Sequence, residues 1–524
     1  MRRSIGGALL CWAAACRQAL PAEAPTAASP STLTLVFSAS AAGQLVPCGC
    51  SPDQRGGLPR AVALVNKLRQ SQPDLLFIDA GDLLFESAQR PAPQLLTQKQ
   101  MKARVLAQGD ELLQAAARAV GERDLSLGPE FVAQTAGKVP LLMPGHSLLA
   151  RQVGIVAASR PEHFAAAGEL RAKGARLVVA LLHLQNEGAW TTAQSMLPAA
   201  KAAGVDLLVL GRRDDPASDP DLKDPGPPPL LAVEGHLQSL LRVDVHLGPN
   251  GPLQLAPSAA DRDAEVKALQ ARIDRFRSQI EQFPERREQL SAKVRELQER
   301  QKALASSPPP RPPEGSSWAE ASFVPLTAEV GSDPAAQKLV DAYDGKVAEM
   351  NLAEAKTQPE QCPAAARGEP FFVGANRCAE CHQEATAFWE QTRHASAYSK
   401  LSGVKKQFSL DCISCHVTGW QQPGGVCRID RTERGEPGLD GHGVGRRDVQ
   451  CEACHGPGSE HVKDETFGHM RAEVTALQCM HCHEAANSPH FEYTKYKPFI
   501  VGPGHGEPLA RGQKPQPRPG GPLQ

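Results

Sequence analysis

The stretch Val449-Gln450-Cys451-Glu452-Ala453-Cys454-His455-Gly456 carries two cysteines three positions apart, with a histidine directly after the second. Further copies of Cys-x-x-Cys-His stand at Cys378, Cys381 and His382, at Cys412, Cys415 and His416, and at Cys479, Cys482 and His483. With 14 Cys and 16 His in 524 residues, chance supplies about 0.01 copies of such a pattern. On one helical turn the two thiols face the same side and can add across the two vinyl groups of one porphyrin. The adjacent imidazole then meets the iron. Zinc also takes Cys-x-x-Cys pairs, but a zinc ribbon does not need His directly after every second Cys. The pattern therefore predicts four covalently bound haem c groups. The thioethers come from Cys378, Cys381, Cys412, Cys415, Cys451, Cys454, Cys479 and Cys482, and the proximal iron ligands are His382, His416, His455 and His483. Aromatic residues make up only 5% of the chain, and porphyrins supply apolar mass that a small domain otherwise lacks.

Working outward, Trp389-Glu390-Gln391-Thr392-Arg393-His394-Ala395, His416-Val417-Thr418-Gly419 and residues 449–458 around the third motif resemble the cytochrome c-554/c-prime family of multihaem cytochromes. The resemblance covers residues 372–506. It implies electron transfer as the main activity, with haem redox enzymes of nitrogen compounds among more distant relatives. It also implies that His394, in the Trp-x-x-Thr-x-His pattern, is a distal haem ligand. Outside the motifs this region offers His394, His442, His461, His469, His490 and His505. His394, His461, His505 and His490 are the candidates for the distal side; His442 in a glycine-rich loop and His469 stand behind them. A helix leaving His382 does not easily return to the opposite porphyrin face, so His394 is expected to cap a neighbouring haem.

The net charge is −1, which gives no basic footprint for nucleic acid. A length of 524 residues predicts two or three domains, and 45 Gly with 45 Pro fit linkers between them. Arg2 and Arg3 followed by an apolar stretch over 5–15 read as an export signal within residues 1–22, too short to span a membrane as a helix. Ala13-Ala14-Ala15-Cys16 resembles a bacterial lipobox, with Ala13 where Leu is usual. Cleavage before Cys16 leaves it acylated and the protein lipid-anchored in the periplasm or at the outer membrane; ordinary secretion discards it. Cys48, Cys50, Cys362 and Cys427 lie outside both signal and motifs. An oxidising compartment lets them pair, with connectivity open. For Cys48-Gly49-Cys50 a redox or metal role is the alternative.

Residues 31–258 alternate apolar runs at 33–37, 75–78, 177–182 and 207–210 with Ala- and Leu-rich helical patterns at 58–68 and 112–120. That alternation predicts a layered α/β domain. Val266, Leu269, Ile273, Phe276, Ile280 and Phe283 then form a heptad stripe, which Pro284 breaks. A second stripe follows at Leu290, Val294, Leu297 and Leu304. Residues 259–306 are thus read as a helical hairpin or coiled coil, with a kinked helix seeking a partner chain as the alternative. A Pro-rich linker is expected over 307–320. A strand-helix connector is expected over 321–365, with its strand at 323–329 and its helix at 335–350. A mainly α and loop-rich multihaem domain follows over 370–508, and a disordered tail over 509–524.

A second resemblance spans residues 33–247. Gly56-Gly57-Leu58-Pro59-Arg60, Asp79-Ala80-Gly81-Asp82, Leu181-Leu182-His183 and Val205-Asp206-Leu207-Leu208 resemble the calcineurin-like metallophosphatase domain of secreted 5′-nucleotidases. In that family two divalent metals clamp a phosphoryl group and generate hydroxide. Here Ser40 and Ala42 replace an Asp-x-His pair, Glu122 and Arg123 replace the metal-binding Asn and the catalytic His, and Arg212 and Asp214 replace the late histidines. Only Asp82 and His183 match the ligand set, so no phosphatase metals are expected. The reading that follows is an electron carrier for redox partner proteins of the cell envelope, with a catalytically silent phosphatase-like scaffold. The alternative is a haem enzyme that turns over a small nitrogen or sulfur compound at one haem with an open axial position.

Overall fold

The computed structural model describes residues 31–47, 54–184, 188–211, 226–256, 259–282, 287–306, 312–359, 362–432, 446–465, 469–483, 488 and 491–505. Cys16, Cys48, Cys50, Arg212, Asp214, Pro284, His442, His490 and the tail lie outside these residues.

The strands begin with β1 (Ser31–Ser38), β2 (Leu76–Asp79), β3 (Ala115–Ala119) and β4 (Leu141–Leu142). Next come β5 (Ser147–Ala150), β6 (Val153–Ala158), β7 (Leu177–Leu182), β8 (Leu207–Leu210) and β9 (Leu230–Ala232), then β10 (Ser239–Leu247), β11 (Asn250–Ala256) and β12 (Ser316–Pro325). One sheet has the order β11-β12-β10-β1-β2-β3-β4 and the other β5-β6-β7-β8-β9. β1 to β4 pair in parallel, as do β6 to β9. β7 reads Leu-Val-Val-Ala-Leu-Leu and is buried throughout, as expected of a parallel strand covered on both faces.

Helices α1 (Leu58–Ser71), α2 (Pro93–Leu112), α3 (Pro129–Thr135), α4 (Ala166–Ala172), α5 (Ala189–Ala203), α6 (Ala259–Gln282), α7 (Arg287–Ser306) and α8 (Pro334–Ala355) accompany the sheets. Alternate residues of each strand split between a core shared by the two sheets and an outer core under the helices. Leu35, Phe37, Ile78, Ile155, Val179 and Val209 meet between the sheets. Val36 and Phe77 turn outward to Leu58, Val62, Leu106 and Val347 of α1, α2 and α8. Val178, Ala180 and Leu208 turn outward to Leu170, Ala193 and Met196 of α4 and α5. The result is helix–sheet–sheet–helix layering. Each large side chain buried this way contributes about 1.5–3 kcal/mol, and a one-residue slip would turn all of them to the wrong face.

Three expectations change. The helical pattern expected at 112–120 is not a helix beyond its first residue: α2 ends at Leu112 and Ala115–Ala119 is strand β3, held between β2 and β4. Alanine has high helix propensity, but here it supplies small side chains where a central strand passes between two cores, and tertiary context overrides the preference. The strand expected at 323–329 starts earlier, at Ser316, and stops at Pro325. Its first half, Ser-Ser-Trp-Ala-Glu-Ala, buries only the small Ser317, Ala319 and Ala321 and leaves Ser316, Trp318 and Glu320 half-buried, a weak sequence signal. β12 also lies between β10 and β11, and α8 packs on the same core as α1 and α2. Residues 316–355 therefore complete the α/β unit and are not linker or connector, so the unit does not end at 258.

α6 and α7 are inserted between β11 and β12. They lie antiparallel, joined through Leu269, Ile273, Val294 and Leu297, with Phe276, Ile280 and Leu304 flanking. Gln301 Nε2 donates to Val266 O at 3.2 Å, and Arg262 to Leu304 O. The two stripes thus bury each other within one hairpin. Among the described residues no helix is long and apolar enough to cross a membrane.

Candidate functional site

Each attachment motif is one helical turn. Cys378 lies on α9 (Ala375–Ala379), ahead of α10 (Gln383–Trp389) and α11 (Ala397–Gly403). α12 (Leu410–His416) ends on the second motif and α13 (Cys451–His455) is the third; α14 (Ser459–Lys463), α15 (Ala476–Met480) and α16 (Tyr493–Tyr496) follow. His382 N–H donates to Cys378 O at 2.8 Å and His483 N–H to Cys479 O at 2.9 Å. In each copy the i and i+3 thiols and the i+4 imidazole therefore share one face.

The four turns converge through their thiols. Cys378 and Cys451 lie within hydrogen-bond reach; this contact and burial push the Cys378 thiol up. Cys482 and Cys415 stand likewise, and the Cys482 thiol is raised for the same reasons. Burial, with Cys479 and Cys451 beside it, pushes Cys454 up to about 11. None of these eight cysteines is in a disulfide. Cys362 and Cys427, left open by the sequence, are bonded to each other.

The histidines come together in pairs drawn from distant segments. The His382 and His461 rings lie 6.2 Å apart, centroid to centroid, at 22°. The His394 and His483 rings lie 6.2 Å apart at 42°. A metal bonded to two imidazole nitrogens at about 2 Å each separates the ring centroids by about 6 Å, so both pairs fit a shared iron. His394 stands across from the fourth motif's histidine, away from His382. Burial, with His483 nearby, lowers His394 to about 4, and burial lowers His483; the neutral ring is the ligating form. His416 Nδ1 donates to Ala397 O and His455 Nδ1 to Arg471 O, each at 2.7 Å. Those bonds fix the tautomer and leave Nε2 for a metal. His505 is lowered by burial and by the neighbouring His455. Its approach depends on Gly502 and Gly504, where an added Cβ would stand 2.5 Å from Phe388 and from the Ala385 backbone respectively. His469 instead faces Asp464 at 3.6 Å.

Several residues that organise the site were not singled out from sequence. Glu452, inside the third motif, accepts from Val373 N, Gly374 N and Gly458 N at 2.7–3.1 Å. Burial still raises its carboxyl, against those bonds. Gln450 Oε1 accepts from Ala375 N at 2.8 Å, so the first and third motifs are clasped together. Asp448 Oδ1 accepts from Tyr398 N at 2.9 Å, while Asp448 N–H donates to His416 O at 3.1 Å. Asp448 and Gln450, on either side of Val449 ahead of the third motif, and the acid inside it are the sequence trace of this clasp.

The phosphatase-like position is built differently. Ser40, at φ 45°, donates its hydroxyl to Gly211 O at 2.7 Å. Asp82, at φ 56°, accepts from Arg123 N at 2.8 Å. Its other oxygen lies 3.2 Å from His183 Nε2 and 3.8 Å from Arg123 Nε. Burial would raise the Asp82 carboxyl, but His183 and Arg123 outweigh it and hold it below its usual range. Burial would lower His183, and Asp82 raises it. The two residues that match the family's ligands are thus engaged with each other and with a guanidinium. Among the described residues no three His, Cys, Asp or Glu side chains gather as a metal site.

Residues 377–456 match the family described as Cytochrome c554 and c-prime. Cytochrome c-554 of Nitrosomonas europaea is 34% identical over 102 residues, covering 17% of this chain and 39% of that relative. Among solved structures, a 5′-nucleotidase precursor from Thermus thermophilus overlays with TM-score 0.38 at 16% identity, covering 64% of this chain and 62% of that one. A calcineurin-like phosphoesterase from Bacillus subtilis overlays with TM-score 0.36 at 12% identity, covering 61% of this chain and 98% of that one. These last two are partial likenesses. The C-terminal segment resembles the cytochrome family, and the part before it is a layered α/β unit.

Proposed function

We propose that the chain is a tetrahaem c-type cytochrome that passes electrons between redox partners in the cell envelope, with the α/β unit as a catalytically silent scaffold. The observation that carries this reading is the two imidazole pairs, His382 with His461 and His394 with His483, at the spacing a shared iron requires. Haem supplies the one-electron chemistry. The chain's own residues attach the groups through the eight motif cysteines and present imidazoles to the iron. His505, close enough to His455 and His382 to feel both, is the candidate for the distal side of the third motif. The thiol neighbours support the order first, third, fourth, second motif, because Cys378 meets Cys451, Cys454 meets Cys479 and Cys482 meets Cys415.

Export and acylation at Cys16 belong to the same reading, supported by Arg2, Arg3 and the small residues before the cysteine. The silence of the scaffold is supported by Arg123 beside Asp82. The deciding experiment is the intact mass and visible spectrum of the exported protein. Four haems that survive acid–acetone extraction are expected; a stoichiometry of two or fewer in a host with working haem maturation overturns the proposal. A high-spin ferric signal from the wild type would move the reading to the haem enzyme.

A further inference from the structure

The second attachment helix does not rest on the haem region alone. The N-terminal turn of α12 is seated on α2 and α8 of the α/β unit. Buried Gln98 of α2 accepts from Leu410 N and from Asn351 Nδ2 of α8, and donates to Ser409 Oγ, at 3.1–3.2 Å. Asn351 also donates to Phe408 O at 2.7 Å. Beside these neutral contacts lies a charged one. Asp411, next in sequence to the attachment residue Cys412, pairs with Lys99 Nζ at 2.9 Å and with Lys102 Nζ. The lysine side chains are 12% exposed and that of Asp411 is 15% exposed. Glu86, 55% exposed, is the outer partner of both lysines, and Lys406 pairs with Asp344 at 3.0 Å nearby. The charges act on the attachment residue: burial raises the Cys412 thiol, Asp411 adds to this, and Lys406 and Lys102 oppose it.

We propose that α2 of the α/β unit sets the reduction potential of the haem attached through Cys412 and Cys415, by way of the buried charges of Lys99, Lys102 and Asp411. This rests on the cytochrome reading above. An oxidised haem carries one more positive charge than a reduced one. A dry cation beside it therefore favours reduction and raises the potential, and a dry anion lowers it. Glu86 is largely screened by water and the Lys406–Asp344 pair balances itself, which leaves two dry cations, Lys99 and Lys102, against one dry anion, Asp411. The α/β unit, without catalysis of its own, thereby acts on the electron path, and Lys99 and Lys102 are its positioning residues.

The test is a spectroelectrochemical titration of the intact four-haem protein. Lys102→Met should move one midpoint downward and Asp411→Asn should move the same midpoint upward. Lys102→Arg should leave it in place. Gln98→Leu, which breaks the neutral contacts and keeps the charges, should also leave it in place. The midpoint that moves should be the component missing from the double variant Cys412→Ala, Cys415→Ala. If Lys102→Met does not accumulate, Lys99→Met carries the same expectation. Unmoved midpoints, shifts of one sign in both charge variants, or an equal shift in Gln98→Leu would overturn the proposal. A wild-type protein with fewer than four haems overturns the cytochrome reading instead, and its mass reveals that before any titration.

Discussion

His394 and His461 sit on separate short segments, yet each faces a motif histidine at 6.2 Å. Their chemistry can be tested one residue at a time. Thioether ligation raises a haem potential, so His394→Met should move one midpoint upward and leave three in place, read by redox titration. An unchanged set of midpoints would remove His394 from the ligand list. A second test lies in the α/β unit, where Asp110 pairs with Arg118 at 3.6 Å and both are nearly fully buried. Burial outweighs Arg118 and, with Asp124 adding, pushes the Asp110 carboxyl up to about 7. An acid whose pKa is raised on folding holds its proton in the native state after the unfolded chain has released it. Its contribution to stability therefore falls as pH rises from about 4 to about 7. Asp110→Asn should flatten that part of the pH profile of the thermal midpoint. A profile as steep as the wild type's would show that Asp110 does not titrate there.

At the scale of elements, the sequence was legible where a run was uniform. The apolar runs at 177–182 and 207–210 coincide with β7 and β8, because continuous Leu and Val leave a buried parallel strand few alternatives. The two heptad stripes likewise marked α6 and α7. β3 was misread because five residues of Ala-Ala-Ala-Arg-Ala carry helix propensity, and only pairing with β2 and β4 decides against it. β12 was misread because its partners β10 and β11 lie across an inserted hairpin. In the haem region the motifs were plain, since their chemistry is local. The pairing of His382 with His461 was not, because it depends on how α13 draws together the residues that lead into α9 and α14. That packing runs through Glu452. Glu452→Ala strands the N–H groups of Val373, Gly374 and Gly458, at about 1–3 kcal/mol each. The variant should melt earlier and lose haem at the first and third motifs ahead of the others. Full haem content with an unchanged melting curve would show the clasp to be dispensable.

For the whole molecule, the question is what keeps the haem region on the α/β unit. The contacts are the Gln98 and Asn351 hydrogen bonds, the Lys406–Asp344 pair and the Asp411 triad. Burial would raise the Asp411 carboxyl, but Lys102 and Lys99 overcome it and hold Asp411 well below the usual carboxylate range. A carboxylate depressed in this way stabilises the folded arrangement above its unfolded pKa, and that contribution is lost only as pH falls through the depressed folded value. The junction should therefore survive at about pH 4, where ordinary exposed carboxylates are half protonated. Salt should also loosen it little, since buried pairs are weakly screened. Small-angle scattering of the holoprotein at neutral and mildly acid pH, with and without high salt, should give one unchanged radius of gyration. The triple variant Asp411→Asn, Gln98→Leu, Asn351→Leu, which removes the anion and the neutral contacts together, should expand the particle or expose the segment around Ser409 to protease. A wild-type radius that grows at mildly acid pH, or a triple variant as compact and protease-resistant as the wild type, would show that these contacts do not hold the two parts together.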